Sequence, residues 1–154
     1  MARAKLLLDT DIVVDFLNER DPFYEQARLL MICGRVGEFE LWVSSSQVTD
    51  LIYILSNGGG KDELPEVLQR LRELRTFVNV FATSDREVDL MLAAAWKDPE
   101  DCLLAEVALA LGADAVVTRN QKDFPEGLVR VVDCDEFFAW MREDFGLSYA
   151  EVEW

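Results

Sequence analysis

Leu6-Leu7-Leu8-Asp9-Thr10-Asp11 is the stretch on which the fold turns. Three consecutive leucines are too few for a helix and read as a buried strand. The strand stops abruptly at Asp9. A carboxylate at the carboxyl end of an interior parallel strand opens into the crevice where open α/β sheets bind ligands. The layout returns late in the chain, at Ala115-Val116-Val117-Thr118-Arg119-Asn120. The two strand ends are expected side by side, and acids carried on two helices would complete a metal site between them.

Outward from these strands the pattern alternates. Ile12, Val13, Phe16 and Leu17 keep helical spacing over 11–19, with Thr10 or Asp11 as the N-cap. Asp21-Pro22 opens a second helix that Gly37 closes. Phe39 to Val43 reads as a strand, followed by Ser44-Ser45-Ser46 and a helix over 47–56 with Asp50 in its first turns. Asn57-Gly58-Gly59-Gly60 breaks the chain. Lys61 after it suggests a phosphate loop, but that pattern needs a glycine where Leu55 stands and a Ser or Thr where Asp62 stands. A flexible connection remains.

A charged amphipathic helix follows over 64–74, then a strand over 77–81. Ser84 with Glu87 forms a capping box for a helix reaching Trp96. Asp98-Pro99-Glu100-Asp101 opens the next helix, which Gly112 ends. Ala115 to Thr118 is apolar enough to be a central parallel strand. Leu128 to Val132 supplies a fifth strand and 135–142 a last helix. Strand–helix alternation over five strands predicts a three-layer α/β/α sandwich around a mostly parallel sheet. Residues 1–142 form one domain. Residues 143–154 form an acidic, aromatic tail whose Phe145, Leu147, Tyr149, Val152 and Trp154 need a cover, from this chain, a second copy or a partner.

Composition narrows the chemistry. The chain has 154 residues, 51% of them hydrophobic, enough for a real core. It has no histidine. That excludes Ser-His-Asp and Cys-His catalysis and the HExxH zinc site. Cys33, Cys102 and Cys134 are too scattered for a disulfide framework or a zinc knuckle and read as small core residues. The formal charge of −15 repels nucleic acid at long range and suits a basic partner. No apolar run is long enough for a membrane span or a signal peptide, so no membrane role and a cytoplasmic location are expected.

Four acids stand out, Asp9, Asp50, Asp101 and Asp123, three of them at strand or helix ends that a parallel sheet gathers on one edge, with Asp11, Asp98 and Asn120 close in sequence. The plain alternative is that these are solvated acids, those near Asp98 merely capping a helix dipole. Gathered in one crevice, carboxylates repel one another and their pKa values rise. A hard divalent cation such as Mg²⁺ relieves this through oxygen ligands, and it can activate water toward a phosphate.

Four segments carry a family likeness. They are Leu7-Leu8-Asp9-Thr10-Asp11-Ile12-Val13-Val14-Asp15, Val43-Ser44-Ser45-Ser46-Gln47-Val48-Thr49-Asp50-Leu51, Asp98-Pro99-Glu100-Asp101-Cys102-Leu103-Leu104-Ala105 and Val117-Thr118-Arg119-Asn120-Gln121-Lys122-Asp123-Phe124. In this order and spacing they resemble the PIN domain nucleases, which include the toxins of VapBC-type toxin–antitoxin pairs and the PilT N-terminal-like proteins. The resemblance implies the α/β/α sandwich and metal-dependent hydrolysis of RNA, leaving a 5′ phosphate and a 3′ hydroxyl. Asp9 and Asp101 match metal ligands for Mg²⁺ or Mn²⁺. Asp50 stands where most members carry glutamate, and Asn120 where many carry a fourth acid, which Asp123 would replace. Thr118 would orient Asp9 or the substrate phosphate. Arg119 and Lys122, with Lys97 and Arg20, would guide RNA into the acidic field. The resemblance also implies a small antitoxin as partner and a homodimer.

Two further readings stay open. Asp9-Thr10-Asp11-Ile12-Val13 also fits the opening of the haloacid dehalogenases, with Asp9 as nucleophile, Asp11 as general acid and Lys122 and Asp123 in unusual supporting places. The departures at Asp50 and Asn120 also fit a weakly active or inactive domain that only binds a partner.

Overall fold

A computed structural model describes residues 3–149. Among them are five strands: β1 (Lys5–Leu8), β2 (Glu40–Ser44), β3 (Val78–Phe81), β4 (Ala115–Val117) and β5 (Val131–Val132). They form one sheet in the order β3-β2-β1-β4-β5, and every neighbouring pair is parallel. Seven α-helices connect and follow them: α1 (Thr10–Leu17), α2 (Tyr24–Arg35), α3 (Val48–Leu55), α4 (Leu64–Leu74), α5 (Asp85–Ala94), α6 (Pro99–Leu111) and α7 (Cys134–Phe145). This is the expected three-layer sandwich.

The leucine run owes its lack of alternation to burial on both faces. Leu6 and Leu8 enter one core with Ile12, Leu30, Leu51 and Phe137. Leu7 points the other way, into a second core with Leu104, Ala108 and Phe124. β4 repeats the division, Ala115 and Val117 in the first core and Val116 in the second. All six residues are 0% exposed. Each leucine sheltered in this way contributes about 1.5–3 kcal/mol of transfer free energy.

β1 pairs with β2 on one side and β4 on the other, Leu8 standing opposite Val117. The chain runs outward from β1 to β3, then returns to place β4 on the far side. The strand order therefore reverses between β1 and β4. Open parallel sheets bind ligands at such a switch point. Asp9 and Thr118 are the first residues beyond the two strands that flank it.

Local differences from the expected elements have local causes. The N-cap of α1 is Asp9, neither Thr10 nor Asp11, because its own side chain accepts from the Thr10 N–H. Pro22 follows a cis peptide bond in the α1–α2 turn, and α2 starts only at Tyr24. Ser45–Gln47 is a 3-10 turn that precedes α3. The capping box of Ser84 and Glu87 forms as read, but α5 stops short of Trp96 at Ala95, whose φ is 49°. α6 ends at Gly112 in the left-handed region, φ 71°, which glycine enters without strain. β5 is reduced to Val131–Val132. α7 runs past Arg142 to Phe145 because Asp133 and Glu136 box its start and Gly146 ends it.

Beyond α7, the Tyr149 ring lies 5.1 Å from Phe39 and 5.9 Å from Phe138. Phe145 and Leu147 are partly exposed. Val152 and Trp154, expected to need a cover, lie outside the described residues. The three cysteines are buried and free. Burial pushes the Cys134 thiol up to about 12 and Cys33 to about 11, as expected of core residues.

Candidate active site

Asp9 is held from two directions. Its Oδ1 accepts the Thr10 N–H at 2.7 Å, and its Oδ2 accepts the Thr118 hydroxyl at 2.7 Å. Thr118 in turn accepts the Asn120 N–H at 3.0 Å. The Asp9 side chain thus caps α1 and bridges to the tip of β4, and the residue is only 5% exposed. Burial raises its pKa more strongly than these hydrogen bonds lower it.

Asp101 comes from the opposite direction, on the first turn of α6. Asp98 caps that helix and accepts the Asp101 N–H at 3.1 Å. Asp101 is buried, and desolvation first, then the charges of Asp9 and Asp98, push it up to about 8. One carboxylate oxygen each from Asp98, Asp101 and Asp123 lie within 4.8 Å of one another. Asp123 sits in a 3-10 turn after β4, where its carbonyl accepts the Trp96 indole N–H.

Asp9, Thr10, Asp11, Asp98, Glu100, Asp101 and Asn120 line one cavity of about 290 Å³, with Val14, Arg20 and Ile54 on its walls. The expected juxtaposition of Asp9 and Asp101 is therefore present. Asp11 accepts the Arg119 N–H at 3.2 Å through Oδ2, while its Oδ1 is buried without a partner. Burial and Asp9 raise Asp11 to about 6. Asp50 is exposed on the first turn of α3 and does not line the cavity, and Lys122 is likewise exposed.

Arg119 is placed differently from the expected RNA guide. Its guanidinium bonds Asp15 twice, at 2.7 and 3.1 Å, and stacks 3.9 Å from the centre of the Phe23 ring. Arg20 bonds the same carboxylate at 2.9 Å. Both cations are thus partly neutralised by Asp15, which is 0% exposed.

Three residues at or behind the site escaped the sequence reading. Glu100 lines the cavity and is raised by burial, then by Asp50, Asp9 and Asp98. Its place in the crowded Asp98-Pro99-Glu100-Asp101 start made it look like dipole capping. Asp15 was readable as an acid inside the apolar stripe of α1. Gln47 was readable as the third member of a capping box begun by Ser44.

The donor set fits a hard divalent cation. It is made wholly of oxygen, and it is crowded enough to raise Asp9 and Asp101. Among the described residues, the ion pairs involve only Asp11 and Asp15, through Arg20 and Arg119. Among the described residues, Asp9, Asp98, Asp101 and Asp123 form no ion pair, and the Arg119 charge lowers Asp9 less than burial raises it.

Comparison with known proteins agrees with this architecture. The sequence model of the PIN domain matches residues 5–122, and the chain belongs to the PIN domain family. It is 25% identical over 138 residues to Ribonuclease VapC1 of Aquifex aeolicus (strain VF5), covering 89% of this chain and 95% of that protein. Its fold is similar to VapBC2 from Rickettsia felis, solved bound to a DNA fragment from its promoter (TM-score 0.59, 20% identity, 82% of this chain and 96% of that one). It is also similar to a toxin–antitoxin complex from Klebsiella pneumoniae (TM-score 0.62, 20% identity, 84% and 97%). FitAcB from Neisseria gonorrhoeae is a further likeness (TM-score 0.63, 15% identity, 84% and 97%). Membership of the PIN family leaves the dehalogenase reading without support. No helix among the described residues is long and apolar enough to cross a membrane.

Proposed function

We propose that this chain is a metal-dependent endoribonuclease, the toxin of a toxin–antitoxin pair. The observation that carries the proposal is the group of partly buried carboxylates at the β1–β4 switch point, Asp9, Asp98, Asp101 and Asp123, none of which forms an ion pair among the described residues. The kinship to a VapC ribonuclease supports RNA as the substrate.

In this reading Asp9 and Asp101 hold Mg²⁺ or Mn²⁺, and Asp98 and Asp123 complete the oxygen set. A cation bound there supplies charge neutralisation at the phosphate and activation of water. Thr118 keeps one Asp9 oxygen turned toward β4, so the carboxylate does not rotate away. Glu100 on the cavity wall, with Asp50 near enough on the first turn of α3 for its charge to act on Glu100, would accept the proton of the attacking water. Water displaces the 3′ oxygen, leaving a 5′ phosphate and a 3′ hydroxyl. Lys97 and Lys122 are exposed next to Asp98 and Asp123 in the chain and are free to meet phosphates. A small antitoxin protein is the partner, and a homodimer the assembly.

The partner-binding alternative is not favoured, because Asn120 removes one carboxylate from a surplus rather than emptying the site. The test is cleavage of single-stranded RNA. Activity is expected with Mg²⁺ or Mn²⁺, absent in EDTA, and lowered about a hundredfold or more in Asp9→Asn and Asp101→Asn. Cleavage that survives both substitutions and EDTA would show that the acids are not the machinery.

A further inference from the structure

Gln47 is buried, 3% exposed, at the junction of β2 and α3, and both ends of its amide are engaged. Its Oε1 accepts the Ser44 N–H at 2.7 Å and closes the local capping box. Its Nε2 leaves that element altogether. It donates to the Leu8 carbonyl at 2.9 Å and to the Thr10 hydroxyl at 3.2 Å. Leu8 and Thr10 are the two neighbours of Asp9. A single primary amide therefore grips the main chain before Asp9 and the side chain after it.

On the other flank, Thr118 holds the Asp9 carboxylate itself. Asp9 stands just past the end of β1, where its N–H makes a last bond to the Val117 carbonyl at 2.9 Å and the chain turns into α1. Its two side-chain bonds are useful only if the backbone on both sides stays in register. From these contacts we infer that Gln47 is a positioning residue for Asp9, acting from β2 as Thr118 acts from β4. This deepens the nuclease reading and rests on it for the role of Asp9. Groups that orient a metal-ligating side chain typically affect affinity or activity about 10–100-fold when removed. No hydroxyl or carboxylate substitutes for the amide. The site needs an acceptor toward Ser44 and a two-hydrogen donor toward Leu8 and Thr10, at the length of a glutamine.

That division suggests the experiment. Gln47→Glu keeps the acceptor toward Ser44 and removes the donor toward Leu8 and Thr10. Gln47→Met removes both without adding charge. Three quantities are measured on the intact protein: hydrogen exchange at the Thr10 amide, Mn²⁺ affinity by calorimetry, and RNA cleavage. Both variants are expected to speed Thr10 exchange and to weaken Mn²⁺ binding about tenfold or more, with protection across α3 retained. In an Asp9→Asn background, Gln47→Met is expected to weaken Mn²⁺ binding no further.

The inference is overturned if Thr10 exchange and Mn²⁺ affinity stay within about twofold of the unaltered protein. It is also overturned if protection falls evenly through α1 and α3, which marks a general structural role. If the unaltered protein binds Mn²⁺ but leaves RNA intact, the nuclease reading fails while the exchange and affinity results still decide on Gln47. Failure of the unaltered protein to bind Mn²⁺ overturns both.

Discussion

The acids of the site act against the fold that holds them, and this sets a pH dependence. Asp101 and Asp11 are raised to about 8 and about 6 from an ordinary 3.8. The folded protein therefore keeps protons that the unfolded chain has released. The stability linked to those protons is fully present below about pH 3.8 and is lost as pH climbs through the raised values. In EDTA, Tm is expected to fall between about pH 5 and 8, by roughly 2–4 °C for each kcal/mol lost. Asp101→Asn should flatten the upper part of that decline. Mn²⁺ at a hundred times its Kd should add about 2.7 kcal/mol. A Tm that rises over this range, or does not respond to Mn²⁺, would contradict the charge crowding. At this scale the sequence was informative about identity and poor about company. Asp9 was legible because it interrupts a leucine strand. The bond from Thr118 was foreseeable from the pairing of the two strand ends. Glu100 was not separable from ordinary surface acids, since a side chain's exposure depends on elements distant in sequence.

Elements meet the same limits when they are locked together by buried charge. Asp15 on α1 joins Arg20 in the turn toward α2 and Arg119 at the tip of β4, and Phe23 covers the Arg119 guanidinium. The network fixes how α1 leaves Asp9 relative to β4, because the Arg119 N–H also binds Asp11. Breaking a fully buried pair by removing one partner costs about 3–5 kcal/mol. Here the two arginine side chains are 27% and 43% exposed and recover some hydration. Asp15→Asn is therefore expected to cost about 2–3 kcal/mol. The check is urea denaturation, with a lower midpoint and an unchanged slope. A loss under about 0.5 kcal/mol would mean that the pairs are ordinary surface pairs. Helices and strands themselves were legible where both the apolar period and a stop signal were present, as for α6 between Pro99 and Gly112. Their ends shifted where a tertiary partner decided. Asp9 took over the cap of α1. β5 kept only the two residues that pair with Val116 and Val117. The sheet order was not in the local pattern, because it depends on which face each crossover takes.

For the whole molecule the open question is how a chain of net charge −15 engages a polyanion. Arg20 and Arg119 are committed to Asp15, which leaves Lys97 and Lys122 as the exposed cations nearest in sequence to the acid cluster. About two phosphate contacts follow, and single strands lose affinity with a slope of about −0.7 per contact in log K against log salt. The expected slope is therefore near −1.4, shallow for a nucleic-acid binder. The association rate should rise with salt, because screening weakens the repulsive field of the protein before it weakens two short contacts. Both quantities can be measured by fluorescence anisotropy with the Asp9→Asn variant in EDTA, which keeps the RNA whole. A slope steeper than about −3, with a rate that falls as salt increases, requires at least four phosphate contacts. A basic surface on another part of the assembly would then have to supply them. A shallow slope with a rising rate instead means that uncharged contacts and the two lysines carry the affinity, so the acidic surface acts as a filter that only closely approaching RNA passes.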